Sequence, residues 1–145
     1  MSSDELIREI AENTRIIALV GASPNPARPS NDVMRFLQKA GYRVIPINPG
    51  HASEEINGEQ VYARLEDIPQ DLTGRVDMVD IFRNSADAAA PTESAIKIGA
   101  RYVWMQLGVI NSQAALKAEQ AGLKVVMNRC PAIEFPRLGI RRVPV

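Results

Sequence analysis

Apolar residues fall into five short runs, and the segments between most of them carry helical spacing. The first run, Ile16-Ile17-Ala18-Leu19-Val20, is apolar at every position and mostly β-branched. That pattern predicts a strand covered on both faces. Gly21-Ala22-Ser23 ends it, and Pro24, Pro26 and Pro29 stiffen the loop that follows. Ser30 reads as an N-cap for a helix to Ala40, with Val33, Phe36, Leu37 and Ala40 on one face and Gly41 just past its end. Later runs predict strands at Tyr42–Ile47, Asp77–Phe82, Tyr102–Gln106 and Leu123–Met127. Helices are expected at Asp4–Asn13, near Arg64–Ile68, from Pro91 to Gly99 after a turn at Ala86–Ala90, and from an Asn111 cap through Ala121. His51–Val76 reads as mostly polar loop, and the segment from Asn128 onward as a tail.

Strands alternating with helices imply βαβ units with right-handed crossovers. The expected fold is α/β, a doubly wound Rossmann-like parallel five-stranded sheet in three α/β/α layers, forming one domain over residues 1–145. Ligands in such folds lie at the carboxyl ends of the strands, so the residues just after each strand are the candidate site. They are Gly21, Ala22 and Ser23 with Arg28, then Asn48, Pro49 and Gly50, then Phe82 and Arg83, then Gln106 and Gly108, then Asn128, Arg129 and Cys130. Ser30 joins them where the first strand, its glycine turn and the next helix form a candidate phosphate site. Arginine grips phosphate by a planar, charge-assisted fork, and a glycine turn lets a bulky anion approach the backbone. The set reads as a cradle for a phosphorylated, nucleotide-like ligand. Two features separate it from an NAD site. Only Gly21 of the three-glycine fingerprint is present, and the second strand ends in Ile47-Asn48-Pro49 with no acid for the ribose hydroxyls. Against an NADP site the case is softer, since His51 or an arginine could meet a 2′-phosphate.

Composition narrows the picture further. Seventeen basic and seventeen acidic residues cancel, so phosphate recognition must be local rather than a global pull toward nucleic acid or membrane. A single cysteine excludes an internal disulfide and a cysteine-cluster metal site. The N-terminus carries Asp4, Glu5, Arg8 and Glu9 rather than the apolar stretch of a signal peptide, and no apolar run approaches a membrane span. A cytoplasmic location is expected.

Five ordered motifs carry a resemblance. Gly21-Ala22-Ser23, Val44-Ile45-Pro46-Ile47-Asn48-Pro49, Asp80-Ile81-Phe82-Arg83, Trp104-Met105-Gln106-Leu107-Gly108 and Asn128-Arg129-Cys130-Pro131-Ala132 resemble the small stand-alone CoA-binding proteins. That family is similar to the N-terminal domain of the succinyl-CoA synthetase α-subunit, and the resemblance runs from about Arg15 to Gly139. It implies bound coenzyme A or an acyl-CoA. Gly21 to Ser23 and Arg28 would meet phosphates, and Asn48 and Pro49 would flank the nucleotide. Phe82 and Arg83 would line its adenine or phosphate side. Gln106 and Gly108 would border the pantetheine arm, and Asn128 to Pro131 its thiol end. The synthetase's phosphorylated histidine has no counterpart, because the one histidine, His51, lies in the second-strand loop. No nucleophile–base pair is visible, so no reaction is assigned.

Plainer readings stand beside these. Gly21 serves a tight turn in any such fold, and Arg28 and Arg83 could be solvated surface groups. Phe82, Trp104 and Met105 read as core, and Gln106 must find partners because it ends a buried strand. Cys130 is either a small buried apolar residue or, with Arg129 favouring the thiolate, a partner for the CoA thiol in a mixed disulfide. Arg137, Arg141 and Arg142 read as a solvated tail. The rival functions are an NAD(P)-dependent oxidoreductase and a regulatory subunit of an acyl-CoA enzyme. A homodimer or such an enzyme is the expected protein partner.

Overall fold

The computed structural model describes residues 2–140. Helix α1 spans Ser3–Asn13, and Ser2 Oγ caps it by accepting the Glu5 amide at 3.1 Å. Strand β1 is Ile16–Val20 and helix α2 is Pro29–Lys39. Strand β2 is Arg43–Ile47, followed by a small antiparallel hairpin of β3, Glu55–Ile56, and β4, Glu59–Gln60. A short α3, Gln70–Thr73, leads to β5, Met78–Ile81, and α4, Ala89–Ile98. The chain continues through β6, Tyr102–Met105; α5, Ser112–Gln120; β7, Lys124–Val126; and α6, Pro131–Arg137.

The five long strands form one parallel sheet in the order β2-β1-β5-β6-β7. Tyr62 adds a single parallel bridge to Ile47 outside β2, with its N–H on the Pro46 carbonyl at 3.1 Å. Counted as a vestigial strand, Tyr62 completes the doubly wound order 3-2-1-4-5-6 of dinucleotide-binding sheets. Alternate residues feed two cores. Ile17, Leu19, Val44, Met78 and Trp104 pack with α1, α2 and α6. Ala18, Val20, Ile45, Val79, Ile81 and Val103 pack with α4 and α5. The three-layer α/β/α expectation holds, and both faces of β1 are buried.

Four local differences have physical causes. Helix α2 starts with Arg28 at the N-cap and Pro29 at the first helical position, so Ser30 is a buried second-position residue and not the cap. Pro29 suits that place because its fixed φ is helical and its missing N–H has no partner there anyway. Helix α4 begins at Ala89, two residues before Pro91, after a 3-10 turn at Ser85–Ala88. Proline is tolerated there because the first turn's amides have no helical acceptors. The hairpin in the polar stretch turns on Asn57-Gly58, both at positive φ. The presumed tail forms α6, whose Phe135 packs edge-on against Trp104 at 5.9 Å. Arg137 is exposed as expected, but it lies in α6 rather than a tail and bridges Asp4 and Glu134. Arg141 and Arg142 lie outside the described residues.

The turn after β1 is the tightest point of the fold. Gly21 sits at φ +87°, and a Cβ there would strike the Phe82 carbonyl oxygen, with the carbonyl carbon at 3.0 Å. Gly108 also has positive φ but open space around it. Gly108→Ala should cost roughly 1–2 kcal/mol from the left-handed backbone alone. Gly21→Ala adds a backbone collision and should cost roughly 3 kcal/mol or more. Urea denaturation of the two variants should show that ranking, and equal losses would contradict it.

Candidate functional site

The Gly21 turn lies at the switch point, where β1 has β2 on one side and β5 on the other. Its amides are already engaged. Gly21 N and Ala22 N both donate to the Ile47 carbonyl, at 2.9 and 3.3 Å. The turn's first two N–H groups are thus not free to meet a phosphate, contrary to the simple strand-turn-helix expectation. Ser23 Oγ accepts the Asn25 amide at 3.1 Å, and Asn31 Nδ2 donates to the Ser23 carbonyl at 2.8 Å. Asn48 is a strut, donating to the Ala22 carbonyl at 2.7 Å and accepting the Gly50 amide at 2.9 Å. These bonds hold the ends of β1 and β2 in register above the sheet.

Beside this turn a cavity of about 240 Å³ opens on the α4 side of the sheet. Val20, Gly21, Ile47 and Pro49 form its floor at the ends of β1 and β2. Ala63 to Glu66 wall one side, and Ala90, Pro91 and Ser94 of α4 the other. Arg64 and Arg83 are among its lining residues. Among the described residues, Arg64 pairs with Asp67 at 3.0 Å and Arg83 with Asp87 at 3.7 Å, each an exposed acid on its own segment. Glu66 spans to Ser94 Oγ at 2.9 Å across the wall. Arg28 is exposed at the head of α2 and does not line this space.

A second group lies on the opposite face, under α2 and α6. Asp80 is wholly buried in mid-β5, and Gln106, at the end of β6, donates Nε2 to its Oδ1 at 2.8 Å. Its other oxygen, Oδ2, is buried without a hydrogen-bond partner. Burial away from any cation pushes the Asp80 carboxyl up from its ordinary 3.8 to about 7, against a smaller lowering by Gln106. Cys130 is also buried, and that burial pushes its thiol up. Arg129 does not favour a thiolate here. Its guanidinium turns to Glu134 at 3.7 Å, while its carbonyl accepts Trp104 Nε1 at 2.8 Å. Asn128, at positive φ, accepts the Gly108 amide at 2.8 Å and ties the β6 and β7 loops together.

Of the candidates read from the sequence, Gly21, Pro49 and Arg83 meet at the cavity. Asn48 and Gly50 support it through the turn. Gln106, Gly108, Asn128, Arg129 and Cys130 gather at the ends of β6 and β7. Ser23, Arg28 and Ser30 sit at the entry to α2, and Phe82 is half-buried against the α2-side core. Two residues were missed. Arg64 falls at the start of the short helix expected near Arg64–Ile68, within a mostly polar stretch, and its signal as a site residue is a basic group just after the Tyr62 bridge. Asp80 was hidden in plain view, because an acid inside an apolar strand is itself the signal. His51 pairs with Glu54 at 3.2 Å in an exposed turn. Among the described residues, no cluster of three or more His, Cys, Asp or Glu could hold a metal ion, and no helix is long and apolar enough to cross a membrane.

A parallel doubly wound sheet with a glycine turn at its switch point places the chain in the class of Rossmann-like nucleotide-binding folds. Within that class it belongs to the CoA binding domain family, whose model matches residues 15–136. It is 33% identical over 124 residues to YneT of Bacillus subtilis strain 168, covering 86% of this chain and 87% of that one. A solved protein from Pyrococcus horikoshii OT3 is 43% identical with a TM-score of 0.86, over 94% of this chain and 92% of that one. Prb, a protein redesigned for binding, is 41% identical with a TM-score of 0.89, over 100% of this chain and 98% of that one.

Asp80 has a folded pKa above its unfolded value, so the native state holds the proton more tightly. Stability should therefore fall as pH rises from about 4 to about 7 and level off beyond. In Asp80→Asn the fall should flatten, as read by thermal melting across that range. Cys130 should react with iodoacetamide far more slowly than a free thiol at pH 8 in the native protein, and at the ordinary rate in urea.

Proposed function

We propose that this protein binds coenzyme A or an acyl-CoA along the carboxyl edge of its sheet, as a small carrier, sensor or buffer of the cofactor in the cytoplasm. The observation that carries the reading is the cavity at the switch point, floored by Gly21 and Pro49 and lined by Arg64 and Arg83, in a chain of the CoA binding domain family. The cavity is smaller than the roughly 300–1,000 Å³ pockets that enclose a drug-sized ligand. It suits the heterocycle and ribose of the nucleotide, leaving phosphates and arm on the open strand edge. Its apolar floor takes the faces of a base, and its two arginines meet an anion at the rim. Their ion pairs with Asp67 and Asp87 are exposed and worth little, so a phosphate can displace them. Arg28 and the first amides of α2, including Ser30, supply a further anion contact at the helix start. Phe82, Gln106 and Gly108 then border the arm, and Asn128 to Cys130 its thiol end.

A nicotinamide dinucleotide fits less well. The residue after β2 is Asn48, whose amide is committed to the backbone, so no carboxylate stands there for the ribose hydroxyls. A subunit role beside an acyl-CoA enzyme uses the same binding event as a signal and is read by co-purification.

Calorimetry with CoA, dephospho-CoA and NADPH tests the reading. Binding of CoA, and none of NADPH, is the expected result. Replacing Arg64 and Arg83 together by Ala should weaken CoA about tenfold or more, since a charge-assisted bond contributes roughly 1.5–3 kcal/mol. No heat with CoA at millimolar concentration defeats it.

A further inference from the structure

Resting on the CoA reading, we propose that Asp80 is a positioning residue whose protonation decides which end of the Gln106 amide faces the ligand's arm. The geometry is a relay of two buried side chains. Asp80 is wholly enclosed, and Gln106 is almost so just past the end of β6. The 2.8 Å bond from Gln106 Nε2 to Asp80 Oδ1 joins them. Asp80 Oδ2 is enclosed with no partner. Gln106 Oε1 is not among the enclosed orphan atoms of the described residues and accepts no hydrogen bond from them.

With Asp80 ionised, the carboxylate can only accept, so it draws in the amide NH₂ and leaves Oε1 facing outward. An outward oxygen accepts an N–H, and the pantetheine arm carries two amide N–H groups. With Asp80 protonated, that same orientation leaves its O–H buried without an acceptor, which is costly. Turning the amide over lets the acid O–H donate to Oε1, and the NH₂ group then faces the ligand. The pair thus converts one buried proton into an exchange of acceptor for donor at the strand end. The carboxyl's upward displacement to about 7 puts this exchange near neutrality.

No other charged group on the covering elements bonds to Asp80. On α6 and its entry, Glu134 is taken by Arg129 and Arg137, and burial pushes the Cys130 thiol up. On α2, Asp32 pairs with Arg35. On α1, Glu9 is held by Tyr102 and Lys124, and Asp4 by Arg137. Arg83, just after β5, turns to Asp87.

Although the arm also carries amide C=O groups, the binding arrangement is the one the structure shows, with Oε1 outward onto an arm N–H. CoA affinity should therefore rise as pH increases through about 7, with a proton released on binding below that pH. CoA's own phosphate also titrates near pH 6, so the readout is a difference between proteins. Calorimetry from pH 5.5 to 8.5, in two buffers of different ionisation enthalpy, is run on the native protein and Asp80→Asn. The native protein should gain severalfold more affinity over this range than the variant, whose residual slope is the ligand's own. Gln106→Met breaks the same relay without touching Asp80, and should bind more weakly with the variant's shallow slope; it stands in should Asp80→Asn not fold. Equal slopes in the native protein and either variant overturn the inference while leaving CoA binding intact. Absence of CoA heat at every pH overturns the CoA reading and this inference with it.

Discussion

The close approach of the chain just after β1, at Gly21, to the chain just after β5, at Phe82, is the constraint on which the rest of the site depends. The Phe82 carbonyl occupies the space where any side chain at residue 21 would lie. On the other side, the Ile47 carbonyl captures two successive amides of the same turn. Three strand ends are thereby locked within one turn of chain. Only a residue without a Cβ, at positive φ, satisfies both neighbours at once. The cavity exists because this lock lets β1 stop while the chain leaves toward α2. The opposite flank, between the Tyr62 segment and α4, stays open.

The sequence made the architecture legible because parallel strands buried on both faces leave an unmistakable apolar run. Ile16–Val20 could be nothing else at that length, and glycines and prolines punctuated the crossovers. What was lost was lost for specific reasons. Pro29 reads in the sequence as a loop stiffener, although its missing N–H fits the first position of a helix better. Asn57-Gly58 is a strong hairpin signal, but the strands it joins are two residues each and carry no periodicity of their own. Helix α6 contains two prolines, one at its head and one inside, which hid a seven-residue helix anchored by Phe135. Rules about strand ends located Gly21, Pro49 and Arg83 at the cavity. They could not locate Arg64, because the element it follows is a single-residue bridge rather than a strand.

Charge is distributed by two opposite rules. The ion pairs of Arg64 and Arg83 are exposed, weakly coupled and close to an apolar cavity, so they are cheap to exchange for a ligand's anion. Asp80 is enclosed, unpaired with any cation and short of one hydrogen bond, so it carries a standing cost to the fold. Apolar strand interiors have no structural need of an acid. A buried acid that costs stability and touches a strand-end amide is the combination expected where local stability has been given up for a site. The buried Cys130 lacks that signature: its thiol is pushed up, its neighbour Arg129 is engaged elsewhere, and it packs in the α2-side core.

The two clusters lie on opposite faces of one sheet, and only the strand ends connect them. The cavity with Arg64 and Arg83 belongs to the α4 side, while Asp80, Gln106 and Cys130 belong to the α2 and α6 side. A compact nucleotide could use the first cluster alone. A ligand with a long flexible arm could use both, crossing the carboxyl edge between Arg83 and Gln106. Those positions follow β5 and β6, which are adjacent in the sheet and paired at Ile81 and Met105. Neighbouring parallel strands stand roughly 5 Å apart, so the crossing spans a single strand spacing. The Asn128 bond to Gly108 fixes the far side of that edge. In the CoA reading, that crossing is where an arm of linear amides with little bulk would lie, between the Gln106 amide and the exposed Leu107.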